Sequence, residues 1–160
     1  MIAAGGTGGH VYPALAAAEA ALTQQPETEL VFVGSVGGFE RPLLEQAKLP
    51  FKAVEAVQAG PIHGINPLRA LASGGKLLAG TAQAIRLIGR YRPQVILSTG
   101  GWVSFPVAQA GWLRRVPVLI YLPDIEPGLT IKAQRFFATR IAATTAESRA
   151  FVPAHKLIVT

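Results

Sequence analysis

The chain has 160 residues, half of them hydrophobic, a formal net charge of +6 and no cysteine. That length suits one globular domain with a substantial core, and the hydrophobic content excludes a disordered chain. The lack of cysteine excludes disulfides, thiolate nucleophiles and thiolate zinc sites together; no apolar run approaches the ~18 residues that cross a bilayer, and no secretory leader is recognisable, so a soluble or membrane-peripheral protein is expected.

Short apolar runs alternate with longer helical patterns along the chain. Met1–Ala4 reads as a first strand, followed by "GGTGGHVYPALA" and a helix over Tyr12–Gln24. Glycines at such a junction permit positive φ and close approach of a ligand, and the helix N-terminus offers free N–H groups. Gly5, Gly6, Thr7, Gly8 and Gly9 therefore read as an anion-binding turn, most naturally for phosphate. The spacing is not G-x-G-x-x-G, nor does it end in the Lys and Ser/Thr of a P-loop, which argues against a nicotinamide cofactor and against an NTPase. His10 has two readings: a histidine bonded to its own turn, or a neutral base beside the phosphate.

The second strand, Leu30–Gly34, opens into "GSVGGFE", a weaker glycine turn containing Gly37 and Gly38. A helix over Arg41–Ala47 and a strand over Phe51–Val57 follow. Asn66 and Pro67 read as the N-cap and first residue of the longest helix, Pro67–Tyr91, with a kink or break expected at Gly74 and Gly75. The fourth strand, Gln94–Ser98, leads into "STGGWVSFP", a glycine loop with Gly100, Gly101, Trp102 and Ser104, and then a helix over Phe105–Leu113. Strand Pro117–Tyr121, helix Leu129–Ala138, strand Arg140–Thr145, a short helix from Ala146 and strand Lys156–Thr160 complete the pattern. This is an α/β, Rossmann-like, doubly wound parallel sheet of about seven strands. Sites in such folds lie beyond the carboxyl ends of the strands, where the three glycine turns could jointly receive a pyrophosphate.

Charge is unevenly placed. Between Ala56 and Pro123 there is no Asp or Glu, whereas Arg69, Lys76, Arg86, Arg90, Arg92, Arg114 and Arg115 all fall there. Such a one-signed window suits nucleic acid, an anionic membrane surface or a phosphorylated substrate, or is a solvated basic face. No basic stretch is interleaved with aromatics, so nucleic acid is not expected as a partner. His63 and His155 read as surface residues.

"GGTGGHVYPALA" together with "STGGWVSFPVA" resembles the N-terminal domain of the MurG family of glycosyltransferases, in glycosyltransferase family 28. The resemblance continues through "VGSVGGFERPLLEQAKLPF", "VPVLIY" and "GLTIKAQRFFAT" and covers essentially the whole chain in order. It implies half of a GT-B fold, with residues 1–160 as the acceptor-binding domain and a C-terminal UDP-sugar-binding domain absent from this chain. The implied activity is inverting transfer of N-acetylglucosamine from UDP-N-acetylglucosamine to a polyprenyl-pyrophosphate-linked MurNAc-pentapeptide in peptidoglycan synthesis. It takes place peripherally at the cytoplasmic face of the cell membrane, with no obligatory metal or other cofactor, and the isolated chain is expected to be inactive.

By the same resemblance, Thr7, Gly8 and Gly9 touch the donor diphosphate, and the glycine loops hold the acceptor's pyrophosphate. His10 is the candidate base for the acceptor's C4 hydroxyl. Leu77, Leu78, Trp112, Arg114 and Arg115 form an apolar patch ringed by basic residues that docks on anionic lipid; the leucines could instead be core. One stretch departs from the pattern: Tyr121-Leu122-Pro123-Asp124 stands where the family has His-Glu-Gln-Asn, so Asp124 occupies the position of a donor-binding asparagine. It is a candidate donor contact, a candidate base alongside Glu126, or a plain loop acid. Two alternatives follow: a divergent glycolipid glycosyltransferase with another acceptor, or a non-catalytic membrane- and acceptor-binding subunit paired with a separate donor-binding chain.

Overall fold

The computed structural model describes residues 1–61 and 66–160, so His63 lies outside the described residues. Seven strands run as β1 (Ile2–Ala4), β2 (Leu30–Ser35), β3 (Phe51–Val57), β4 (Ile96–Gly100), β5 (Val118–Leu122), β6 (Arg140–Ala143) and β7 (Leu157–Val159). Between them lie α1 (Gly8–Gln24), α2 (Glu40–Ala47), α3 (Pro67–Tyr91), α4 (Ser104–Leu113), α5 (Leu129–Gln134) and a short 3-10 turn (Ala146–Ala150). The strands form one parallel sheet in the order β3-β2-β1-β4-β5-β6-β7. The expected class and strand number are both met.

Alternation along the strands divides the core into two. Ile2, Ala4, Leu30 and Phe32 pack with Val11, Ala14, Leu15 and Ala18 of α1 and Leu44 of α2. Ala3, Val31 and Val33 belong instead to the larger core shared with Ile88 of α3, Val107 of α4 and Ile131 of α5. Two of the three β1 residues are alanines, at the place where the winding of the sheet reverses. That reversal, between β1 and β4, is the switch point at which open α/β sheets bind ligands.

Several boundaries move, and two of the shifts shorten the loops at this switch point. Helix α1 begins at Gly8 rather than Tyr12, because the poor helix propensity of glycine matters little in a first turn whose N–H groups lack intrahelical acceptors anyway. Strand β4 continues to Gly100. Helix α3 is a single element across Gly74 and Gly75, contrary to the expected interruption. Asn66 caps it by accepting the Arg69 N–H at 2.8 Å, and Thr81 ties it to α4 by donating to Gln109 at 2.8 Å. Helix α5 stops at Gln134, short of the expected Ala138.

Candidate functional site

The loops after β1 and β4 meet at the switch point. Gly6, Gly100 and Gly101 all have positive φ, at 85°, 117° and 81°. A Cβ on Gly101 would collide with the Gly5 carbonyl, and one on Gly100 would collide with the His10 ring. Only glycine permits this contact: two backbones touch directly, and the imidazole lies against a third peptide. The second loop is closed by Ser104, whose hydroxyl donates to the Gly101 carbonyl at 2.7 Å. Trp102 stands half-buried in the same loop.

His10 is the third residue of α1 and is half-exposed at the strand ends. Its Nδ1 lies 3.0 Å from the Gly5 carbonyl oxygen and 3.0 Å from Thr7 Oγ1. A carbonyl can only accept, so Nδ1 carries a hydrogen; in the neutral form of such a ring Nε2 is the nitrogen with the lone pair. Thr99 fixes the same residue's backbone, its hydroxyl donating to the His10 carbonyl at 2.6 Å. The first reading of this histidine is the one met: the ring is bonded to its own turn through Nδ1.

Thr7 is the N-cap residue by backbone conformation, yet its hydroxyl makes no capping bond and is turned to His10. The Gly8 and Gly9 N–H groups at the helix start are left without an intrahelical acceptor, beside the positive end of a seventeen-residue helix. An anion is the natural occupant of that position.

The third loop joins this group through a residue that sequence reasoning passed over. Glu40, the first residue of α2, is 3% exposed, and its Oε1 accepts the Gly6 N–H at 3.3 Å and the Ser35 hydroxyl at 2.9 Å. Gly5 and Gly38 leave no room for a Cβ beside its carboxylate. The signal is an acid two residues after a glycine turn. Gly37, by contrast, is exposed at φ 72° with open space around it.

Gln134 is a second residue missed, and here the sequence carries no signal, since a buried glutamine in a helical pattern looks like a surface one. It is fully buried, accepts from Ser98 at 2.6 Å and donates to Ser104 at 2.9 Å. Helix α5 is thereby locked to the second glycine loop. Asp124 stands apart at the end of β5, exposed and without a side-chain hydrogen bond or ion pair among the described residues. Glu126 is engaged by Lys132 at 2.6 Å.

Away from the strand ends, α3 is apolar on two sides. Ser73, Leu77, Thr81, Ala84 and Ile88 are buried. Leu68, Leu71 and Leu78 are 81%, 77% and 72% exposed, with Gly75 and Ala82 exposed at the intervening turns. Leu77 is thus a core residue and drops out of the expected lipid-facing set; the outward stripe gains Leu68 and Leu71 in its place. Trp112 and Leu113 are half-exposed beside the exposed Arg114 and Arg115, with the Trp112 ring tilted against Phe137 at 5.7 Å. His155 is exposed, as expected. Among the described residues, no helix is long and apolar enough to cross a membrane.

Residues 1–143 match the model of the "Glycosyltransferase family 28 N-terminal domain". The chain is 39% identical over 161 residues to a protein of Desulforudis audaxviator named UDP-N-acetylglucosamine--N-acetylmuramyl-(pentapeptide) pyrophosphoryl-undecaprenol N-acetylglucosamine transferase, covering 99% of this chain and 42% of that protein. A protein of the same name from Roseiflexus sp. is 40% identical over 164 residues, covering 90% of this chain and 37% of the relative. Among solved structures, Acinetobacter baumannii MurG superposes with a TM-score of 0.81 at 29% identity, over all of this chain and 44% of that one. The chain therefore spans less than half the length of the relatives it matches.

Proposed function

We propose, from the premise that this chain belongs to the family 28 glycosyltransferases through their N-terminal domain, that it is the acceptor-binding half of an enzyme moving N-acetylglucosamine from UDP-N-acetylglucosamine to a polyprenyl-pyrophosphate-linked MurNAc-pentapeptide. The observation that carries the reading is the His10 ring, held with Nδ1 on the Gly5 carbonyl and Nε2 free beside two touching glycine loops. In the proposed reaction the acceptor hydroxyl attacks C1 of the donor sugar with inversion, and Nε2 takes its proton. The C1–oxygen bond to UDP breaks, and the charge gathering on the departing diphosphate meets the free Gly8 and Gly9 N–H groups and the α1 dipole. Gly100, Gly101, Trp102 and Ser104, with Gly5, Gly6, Gly37 and Gly38, would cradle the acceptor's pyrophosphate; no resident metal or cofactor is needed. A second domain would supply most of the UDP-sugar site, and Asp124 would meet the donor sugar from this side.

The outer stripe of α3 with Trp112, Arg114 and Arg115 gives the domain a lipid-facing side. Apolar insertion and basic residues near an anionic leaflet, worth about 1 kcal/mol each, support reversible docking at the cytoplasmic face of the membrane. The deciding experiment is transfer of labelled N-acetylglucosamine to the lipid-linked acceptor by the full-length protein. His10→Ala should lower kcat by roughly 100- to 10,000-fold, the usual contribution of a general base. Absence of transfer by the wild-type protein, or full transfer by His10→Ala, overturns the reading.

A further inference from the structure

The Gly5 carbonyl and the Gly6 N–H belong to one peptide group. The carbonyl end accepts from His10 Nδ1 at 3.0 Å, and the N–H end donates to Glu40 Oε1 at 3.3 Å. A trans peptide is planar and stiff, with its C=O and N–H pointing in opposite directions, so fixing one end fixes the other. Glu40 is itself held: it is 3% exposed, it accepts the Ser35 hydroxyl at 2.9 Å, and Gly5 and Gly38 close around it without side chains. We propose that Glu40 is a positioning residue that orients His10 through the Gly5–Gly6 peptide plane, setting the imidazole tautomer from the far side of the loop.

The arrangement performs the task of a carboxylate that orients a catalytic imidazole, with one peptide group inserted between the two. An acceptor on the amide hydrogen polarises the peptide and strengthens its carbonyl as an acceptor, because hydrogen bonds in a chain reinforce one another. A stronger acceptor at Gly5 holds the hydrogen on Nδ1 and keeps the lone pair on Nε2, facing the loops. The insertion also keeps the carboxylate away from the first-turn N–H groups of Gly8 and Gly9. A negative charge placed directly on His10 would compete with an anion there, whereas Glu40 acts from behind the backbone. The glycines at 5 and 38 thereby acquire a second role. They make space for a buried carboxylate as well as for a ligand.

This inference deepens the proposed role of His10 and is tested by a measurement that does not depend on transfer. In the full-length protein labelled with ¹⁵N-histidine, the His10 ring should show the Nδ1–H tautomer. Glu40→Gln keeps shape and one acceptor oxygen but loses the charge, and should move the Gly6 amide proton upfield and shift the His10 ring nitrogens with it. Glu40→Ala should return His10 towards the Nε2–H form favoured by free imidazole. In assays of the same proteins, kcat should fall by roughly 10- to 100-fold in Glu40→Ala and less in Glu40→Gln, with the KM for UDP-N-acetylglucosamine little changed. Unchanged His10 ring signals in Glu40→Gln overturn the coupling, even if Glu40→Ala fails to fold. A wild-type protein without transfer activity whose His10 signals still respond to Glu40 overturns the catalytic role and leaves the coupling standing.

Discussion

The loops at the β1–β4 switch point and the outer face of α3 are built on opposite principles. At the switch point backbone touches backbone: Gly101 lies against the Gly5 carbonyl and Gly100 against the His10 ring, with no space for a single added carbon. On the outer face of α3, Leu68, Leu71 and Leu78 reach into solvent, and Gly74 and Gly75 have nothing near them. The first region is intolerant of change for geometric reasons. The second is free to vary in shape, as the proposed docking on lipid chains would allow.

Substitutions that add or remove a few atoms should separate the two regions sharply. Gly101→Ala combines a left-handed conformation with displacement of the Gly5 carbonyl and should cost about 4 kcal/mol in chemical denaturation and abolish transfer. Gly37→Ala, strained in φ but unobstructed, should cost about 1 kcal/mol. A Gly101→Ala protein as stable as Gly37→Ala would show that the loops do not touch as described. Next in size, Leu77→Ala should cost about 3 kcal/mol as a core truncation, whereas its exposed neighbour in Leu78→Ala should change stability by less than ~0.5 kcal/mol. Equal losses at the two positions would mean that α3 is rotated.

Gln134→Leu removes the link between Ser98 and Ser104 and strands the buried Ser98 hydroxyl, while Ser104 keeps its bond to the Gly101 carbonyl. It should cost about 2 kcal/mol by thermal or chemical unfolding, and an unchanged midpoint would show that the network carries no weight. The smallest stability effects belong to the outer face, where binding is the readout. Leu71→Glu combined with Leu78→Glu should release the protein from phosphatidylglycerol-rich vesicles in a flotation assay while leaving its unfolding midpoint in place. Arg114→Gln and Arg115→Asn should each weaken vesicle binding by roughly fivefold at low salt, about 1 kcal/mol apiece. Asparagine is chosen at 115 because that residue has φ 57°, a conformation asparagine tolerates. Vesicle binding indifferent to all four changes would remove the lipid-facing role of this side.

Much of the site was legible because its chemistry resides in backbone positions. Glycine clusters between an apolar run and a helical pattern mark a close approach of main chain, and three such clusters in one parallel fold must fall at the same sheet edge. Glu40 was harder to see because its importance comes from burial, and an acid at the start of a helix is ordinarily a solvated N-terminal residue. Gln134 was invisible for the same reason. Of the two α3 leucines expected on the patch, Leu78 is exposed and Leu77 is core: they are chemically identical, and which one faces the core depends on the phase of the helix against α4.

The sequence by itself determined the alternation of strands and helices, the parallel sheet and the glycine turns, since periodicity and the conformational freedom of glycine are local properties. It also placed His10 beside the first turn. Only the tertiary structure decided which ring nitrogen of His10 is free, that the first two loops touch, that Glu40 lies behind them, and which leucine of α3 is exposed. Each of these depends on where distant segments meet: residues 5 and 101 adjoin across the switch point, and residues 6 and 40 meet only because β1 and β2 lie side by side.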